Sequence, residues 1–257
     1  TLMSSKLVAT ALLISSLQLA TTAHAEPFKA GLNAIERQHY ATAFRSFLPL
    51  AQEGAAEAQN NLGFLYQHGY GVKRNYALAV DWYKRAAQKK LPEAEHNLGM
   101  LNYLGHGMGQ DFNEAKRWFE KAAKGGLADS QYMLGRMFFK GEGVVRSPTR
   151  AQVNFRDAAL QGFAEAQYMY SYMLLSANSE NTSGSKGLFK WLDFSGQADS
   201  DLVAALMWAE IAVMNGQSEA NQVAEFARYQ LTSEQVDRSK EAAQSCLESN
   251  YAICITP

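Results

Sequence analysis

The residues of this sequence with the most obvious chemical potential are paired glycines: Gly69/Gly71, Gly105/Gly107 and Gly141/Gly143. A Gly-x-Gly element can bring backbone N–H groups against a phosphate when it follows a strand and opens a helix. Here no strand pattern precedes any of them, and no G-x-G-x-x-G or G-x-x-x-x-G-K-[ST] occurs. They read as turns between helices. Of the five histidines, His68, His96 and His106 could converge in space, but no H-E-x-x-H or paired Cys/His spacing is present. Surface or loop imidazoles are the simpler reading, and no metal is expected. Glu93 and Glu95 form a carboxylate pair at a helix start, where they suit the positive end of the helix dipole and should be solvated. No G-x-S-x-G nucleophile elbow exists. The sequence offers no catalytic constellation, so the expectation is a non-enzyme without a cofactor.

The two cysteines, Cys246 and Cys254, lie far from C-x-x-C spacing and close to each other near the C-terminus. They predict a local disulfide rather than a redox centre, provided the chain reaches an oxidising compartment. The N-terminal residues say that it does. Lys6 precedes the apolar run Leu7 to Leu19, which ends at Ala23-His24-Ala25, an A-x-A cleavage pattern. Residues 1–25 therefore read as a signal peptide, with a mature chain starting near Glu26 in the periplasm or outside a bacterial cell. The run is too short for a membrane span, which needs about 20 apolar residues, and nothing later approaches that length. No transmembrane segment is expected in the mature chain.

Composition limits the partners. The chain has 257 residues, 47% of them hydrophobic and 19% charged, which is globular and excludes disorder throughout. Its formal charge of -1 provides no basic field for nucleic acid or an anionic membrane.

The elements that must carry these residues repeat. EAQNNLGFLYQHGYGVKRNYALAVDWYKRAAQKKLP from Glu57 aligns with units of equal length, 36 residues, from Glu93 and Asp129. Leu-Gly recurs at Leu62-Gly63, Leu98-Gly99 and Leu134-Gly135, Ala-Ala at Ala86-Ala87, Ala122-Ala123 and Ala158-Ala159, and tryptophan at Trp82 and Trp118. Offsets of three and four residues make each unit a helix, a glycine loop and a second helix. A fourth unit begins at Glu165 and resumes after about 18 extra residues with Ala205, Trp208, Ala212 and Gly216 in register. Ala43 and Gly54 mark a shortened leading pair at 26–56. The expected organisation is repeats at 57–92, 93–128, 129–164 and 165–218, with an insertion at about 176–199. Terminal helices at 219–257 follow, and Thr232-Ser233-Glu234-Gln235 reads as a capping box. One pair cannot bury its own apolar face, so stacking is obligatory.

The pattern A-x-x-x-L-G-x-x-Y-x-x-G-x-G-V…A-x-x-W-y-x-x-A-A-x-x-G resembles the Sel-like repeat family, relatives of tetratricopeptide repeats, most specifically over 57–164. Departures are Asn102 and Phe138 for the first tyrosine, Asn154 for the tryptophan, Tyr170-Ser171 for Leu-Gly, and the insertion. The resemblance implies an all-α right-handed solenoid of about six helix pairs, and a scaffold or adaptor that holds a protein or peptide partner in its concave groove. A cell-envelope hydrolase is the rival from another class. The cysteine-rich relatives that suggest it carry one cysteine pair per repeat, and this chain has two cysteines in all. A chaperone-like holder of extended segments is the third reading.

At 100° per residue, one arc of each first helix lies apart from the Ala, Leu and aromatic core. It holds Asn60, Phe64, Gln67 and His68, then His96, Met100, Tyr103 and Leu104, then Tyr132, Arg136, Phe139 and Lys140, then Tyr168, Tyr172 and Leu175. Aromatics, Met and Arg are what partner-binding faces favour, although some of these rings could instead pack on the next repeat. The densest group is Tyr132, Arg136, Phe139, Tyr168 and Tyr172. Trp118 is expected to be the plug between stacked pairs. Within the insertion, Phe189, Trp191, Leu192 and Phe194 are expected either to fold over the groove edge or to engage a partner.

Overall fold

A computed structural model describes residues 25–183 and 197–254, without the side chains of 177–199. The expected leader and the aromatic segment Leu188 to Phe194 lie outside the described residues. Among those described, every regular element is a helix: α1 (25–36), α2 (Tyr40–Gln52), α3 (Ala56–His68), α4 (Tyr76–Gln88), α5 (Pro92–Leu104), α6 (Phe112–Lys124), α7 (Ala128–Lys140), α8 (Pro148–Ala159), α9 (Ala164–Ser183), α10 (Gln197–Met214), α11 (Ala220–Gln230) and α12 (Ser233–Glu248). The architecture is repeated helix-turn-helix. Two compact units divide it, Thr1–Gly125 with α1 to α6 and Gly126–Pro257 with α7 to α12.

The boundaries recur because their causes recur. Asn75, Asp111 and Ser147, spaced like the repeats, cap α4, α6 and α8 by accepting from the backbone N–H of Leu78, Glu114 and Arg150. The first glycine of each paired loop ends the preceding helix in the left-handed region, as at Gly69 with φ 73°. The second glycine is needed for space as well as for its positive φ. A Cβ on Gly71 would lie 2.5 Å from the backbone of Tyr40 and Ala41, where the loop crosses the start of α2. The expected capping box of α12 is present, with Thr232 and Gln235 bonded reciprocally.

Each of the first three full pairs is locked by one small-to-large contact. A Cβ on Gly63 would meet the Tyr83 ring at 2.6 Å, one on Gly99 the Phe119 ring at 2.6 Å, and one on Gly135 the Phe155 ring at 2.7 Å. Gly31 and Phe47 repeat the arrangement in the leading pair, at 2.5 Å. These four rings are fully buried. The plug within the α3–α4 and α5–α6 pairs is thus the residue after the tryptophan, and Trp118, expected as the plug between stacked pairs, packs toward α4 but fills that space only in part. Phe119 has 0% exposure, whereas Trp118 is half-buried at the edge of the Tyr83 and Leu98 cluster, with the Lys121 ammonium 3.8 Å from its ring centroid. An arc of 100° separates neighbours on a helix, so a one-residue shift exchanges the core for its rim.

The fourth pair departs from the pattern. Ser171 stands in the glycine position, and Ala209 stands where the first three pairs place their aromatic; both are fully buried. Tyr170 and Trp208 supply the bulk instead, edge to face at 5.7 Å. The expected insertion at 176–199 begins as helix, since α9 runs on to Ser183, and α10 starts at Gln197. From Leu202 to Ala212 α10 is buried all round, because α9, α11 and α12 all pack on it. Cys246 and Cys254 are bonded, with Cα atoms 4.5 Å apart, and Cys246 lies in the same core cluster as Trp208.

Candidate partner-binding face

The arc selected by angle splits into two groups, one in each unit. In the first unit most of its side chains are committed to neighbouring side chains, nearly all of them outside the arc. Asn60 accepts from the Asn97 amide at 3.0 Å, which ties α3 to α5. Phe64 packs on His68 at 4.5 Å and on Tyr70 at 5.8 Å, and Tyr70 also stacks on Tyr40 at 4.4 Å. Partial desolvation beside these rings holds the His68 imidazole below its ordinary pKa, although the residue stays exposed. His96 lies 5.5 Å from the Phe119 ring, and Tyr103 lies between Phe112 and Phe119 at 5.2 and 6.5 Å. Met100 and Gln67 are half-buried, Gln67 accepting from the Tyr83 hydroxyl at 2.8 Å, and Leu104 is exposed.

In the second unit α7 and α9 carry Tyr132, Arg136, Phe139, Tyr168 and Tyr172. Tyr132 packs on Phe155 at 5.7 Å and on Phe163 at 5.1 Å, so its ring supports the pair. Burial raises its hydroxyl pKa, opposed by the Arg136 charge and reinforced by Glu165 and Tyr168. Tyr168 is half-buried against the cluster of Leu206 and Val223. Phe139 and Tyr172 meet edge to face at 6.5 Å, which joins the two helices, and Tyr172 remains 41% exposed. The Arg136 guanidinium lies 5.8 Å from the Tyr132 centroid and donates weakly to the Met133 sulfur, 3.8 Å away. No ion pair among the described residues holds it. Lys140 is exposed at the end of α7, within 3.8 Å of Glu142, and Leu175 packs partly beneath. The face can thus offer an apolar edge, a phenol and a guanidinium with donors to spare, the set that anchors a peptide or protein surface.

Glu95 needs correction. Its carboxylate is not solvated; the residue is 7% exposed, and burial raises its pKa against the opposing charges of Lys121 and Lys90. Glutamine occupies the matching positions of other repeats, where Gln59 and Gln167 donate their amides to the Ala51 and Ala159 carbonyls at 3.0 and 3.2 Å. The sequence reading also missed a cavity of about 310 Å³ among α10, α11 and α12. Its signal was alanine at 224 and 243, on helices where the repeat had decayed. Among the described residues no group of His, Cys, Asp and Glu could hold a metal ion, and no helix is long and apolar enough to cross a membrane.

The family model of the Sel1 repeat matches residues 56–91, 92–127, 128–163 and 164–176. The chain is similar to the crystal structure of a Sel1 repeat protein from Oxalobacter formigenes, with a TM-score of 0.56 and 27% identity over 71% of this chain and 48% of that one. It thus spans about half the length of that relative. A protective antigen of uropathogenic Escherichia coli strains displaying an SLR fold matches with a TM-score of 0.47 and 20% identity, over 92% of this chain and 67% of that one. No curated protein sequence matches the chain.

Proposed function

Residues 56–176 are Sel1 repeats, and from that premise we propose that this chain is a non-catalytic scaffold or adaptor of the bacterial envelope that holds a protein or peptide partner on the face formed by α7 and α9. Sel1 repeats commonly mediate protein–protein interactions. The observation that carries the choice of face is the exposed Tyr172 edge against Phe139, beside an Arg136 whose guanidinium is not spent on a carboxylate. Export is supported by the A-x-A pattern at Ala23 to Ala25 and by the Cys246–Cys254 bond, a linkage that persists in oxidising compartments.

A photo-crosslinking amino acid placed at Tyr172, and separately at Phe64, tests the reading in cells. One reproducible protein adduct at 172, absent when Arg136 is alanine, is the expected result. Equal capture at both positions, or at neither, contradicts the assignment of the face.

A further inference from the structure

The last three helices line an open cavity for a simple reason. Both α11 and α12 pack on α10 while barely touching each other, and the side chains they turn toward the gap include Ala224 and Ala243, too small to fill it. Its volume, about 310 Å³, lies at the lower end of the range of ligand sites, roughly 300 to 1,000 Å³. Val213 and the two alanines make its apolar floor, and the exposed Met214 adds apolar surface to its lining.

The polar groups are unevenly spent. Arg228 Nη2 donates to Glu210 Oε1 at 2.8 Å, and Glu210 is the more deeply buried partner, so this bond neutralises the one acid of the cavity wall. The guanidinium fork has further N–H donors. Lys240, across the cavity on α12, has an acid near it only at 3.9 Å, Asp237. That contact is long and both side chains are largely exposed, so although the four formal charges balance, the Lys240 ammonium keeps N–H donors for a ligand. Asn221 uses its amide nitrogen on the Ser218 carbonyl at 3.0 Å and Gln244 uses its own on Glu248 at 2.7 Å, which leaves both side-chain carbonyls as acceptors.

We propose that this cavity binds the free carboxylate of an N-acylated apolar amino acid, the chemistry presented by a peptide or protein C-terminus ending in a residue such as Leu. The carboxylate accepts from the unused N–H donors of Lys240 and Arg228, displacing the loose contact of Lys240 with Asp237. The amide N–H behind it donates to Asn221 or Gln244, and the aliphatic side chain covers Val213 and Ala224. The site shares no residue with the α7–α9 face, so either can fail while the other stands.

The test is fluorescence anisotropy with fluorescein-labelled Gly-Ser-Gly-Ala-Leu, as the free acid and as the C-terminal amide, on the full chain. The acid should saturate the site and the amide should bind at least about ten-fold more weakly. Lys240→Glu, a change at a largely exposed side chain that is checked as folded by its melting curve, should weaken the acid by at least about ten-fold. Ala224→Leu, which fills the floor, should abolish binding if its melting curve shows it folded, and Lys240→Glu decides alone if it is not. Arg136→Ala with Tyr172→Ala should leave this binding unchanged. Competition by N-acetyl-leucine at similar concentration assigns the site to small N-acyl amino acids, and no competition assigns it to chain ends; both support the proposal. Equal binding of acid and amide, no saturable binding of either, or full affinity in Lys240→Glu would overturn it.

Discussion

In the pairs α3–α4, α5–α6 and α7–α8 a glycine of the first helix receives a buried ring of the second, whereas in α9–α10 the same positions hold Ser171 and Ala209. The space is shared out differently. Regular pairs place almost all of the bulk on one helix and let the backbones close around it. The fourth pair divides the bulk between Tyr170 and Trp208, on the neighbouring positions, and gives α10 a second buried side for α11 and α12. A glycine interlock therefore suits a helix with repeats stacked on either side, and its loss marks where the repeat array turns into a terminal bundle.

The largest effect should come from emptying a glycine-facing pocket. Phe119→Ala is expected to cost about 3 to 5 kcal/mol in denaturant melts, while Trp118→Ala, at the rim, should cost about 1 to 2 kcal/mol. The reverse order would put the tryptophan back in the core. Next comes the tether that backs the fourth pair. Reducing the Cys246–Cys254 bond, which closes nine residues, should cost about 2.5 kcal/mol in the loop-entropy model and expose amides of α12 to hydrogen exchange before those of α5. Uniform exchange in the two regions would break the comparison.

Swapping the small residues sharpens it. Gly99→Ala pushes a Cβ to 2.6 Å from the Phe119 ring and should cost about 1 to 3 kcal/mol. Ser171→Gly removes one hydroxyl that donates to the Tyr168 carbonyl at 2.7 Å and should cost about 1 kcal/mol or less. Combining Gly99→Ala with Phe119→Leu should recover part of the loss, since the two side chains share one space.

Much of this was legible in the sequence. The paired glycines mark helix ends, and Leu-Gly and Ala-Ala mark the packed faces inside the helices, because each is required by a local dihedral or contact that recurs with the repeat. The identity of the plug was not, because Trp82 and Trp118 stand beside Tyr83 and Phe119 and an apolar pattern with two adjacent large rings does not say which one points inward. The face on α7 and α9 was legible as an arc. That Tyr132 and Tyr103 are packed on Phe155 and Phe119 while Tyr172 stays exposed depends on ring directions across repeats, which spacing does not carry. Glu95 looked like a helix-start carboxylate, and spacing along its own helix does not show that its side chain is covered.

That carboxylate yields a smaller effect with a definite sign. Burial raises the Glu95 pKa, so the folded chain holds a proton that the unfolded chain releases. Its contribution is greatest below the ordinary glutamate range and declines as pH rises from there through the raised folded value. Glu95→Gln should stabilise the chain by about 1 kcal/mol at pH 7 and flatten stability over that window, matching Gln59 and Gln167. Destabilisation at pH 7 would mean that Lys121 and Lys90 outweigh desolvation.

The smallest effect on stability should accompany the largest on function. Arg136 and Tyr172 sit on the surface of α7 and α9 rather than in any glycine-facing pocket, so replacing both with alanine should lower stability by about 1 kcal/mol or less. The direct measurement is the melting temperature of this double variant together with recovery of the protein crosslinked at the α7–α9 face of the natural chain. A near-normal Tm with the partner lost is the predicted result. A collapsed Tm would make the face part of the core, and a folded variant that still recovers the partner would place the binding site elsewhere.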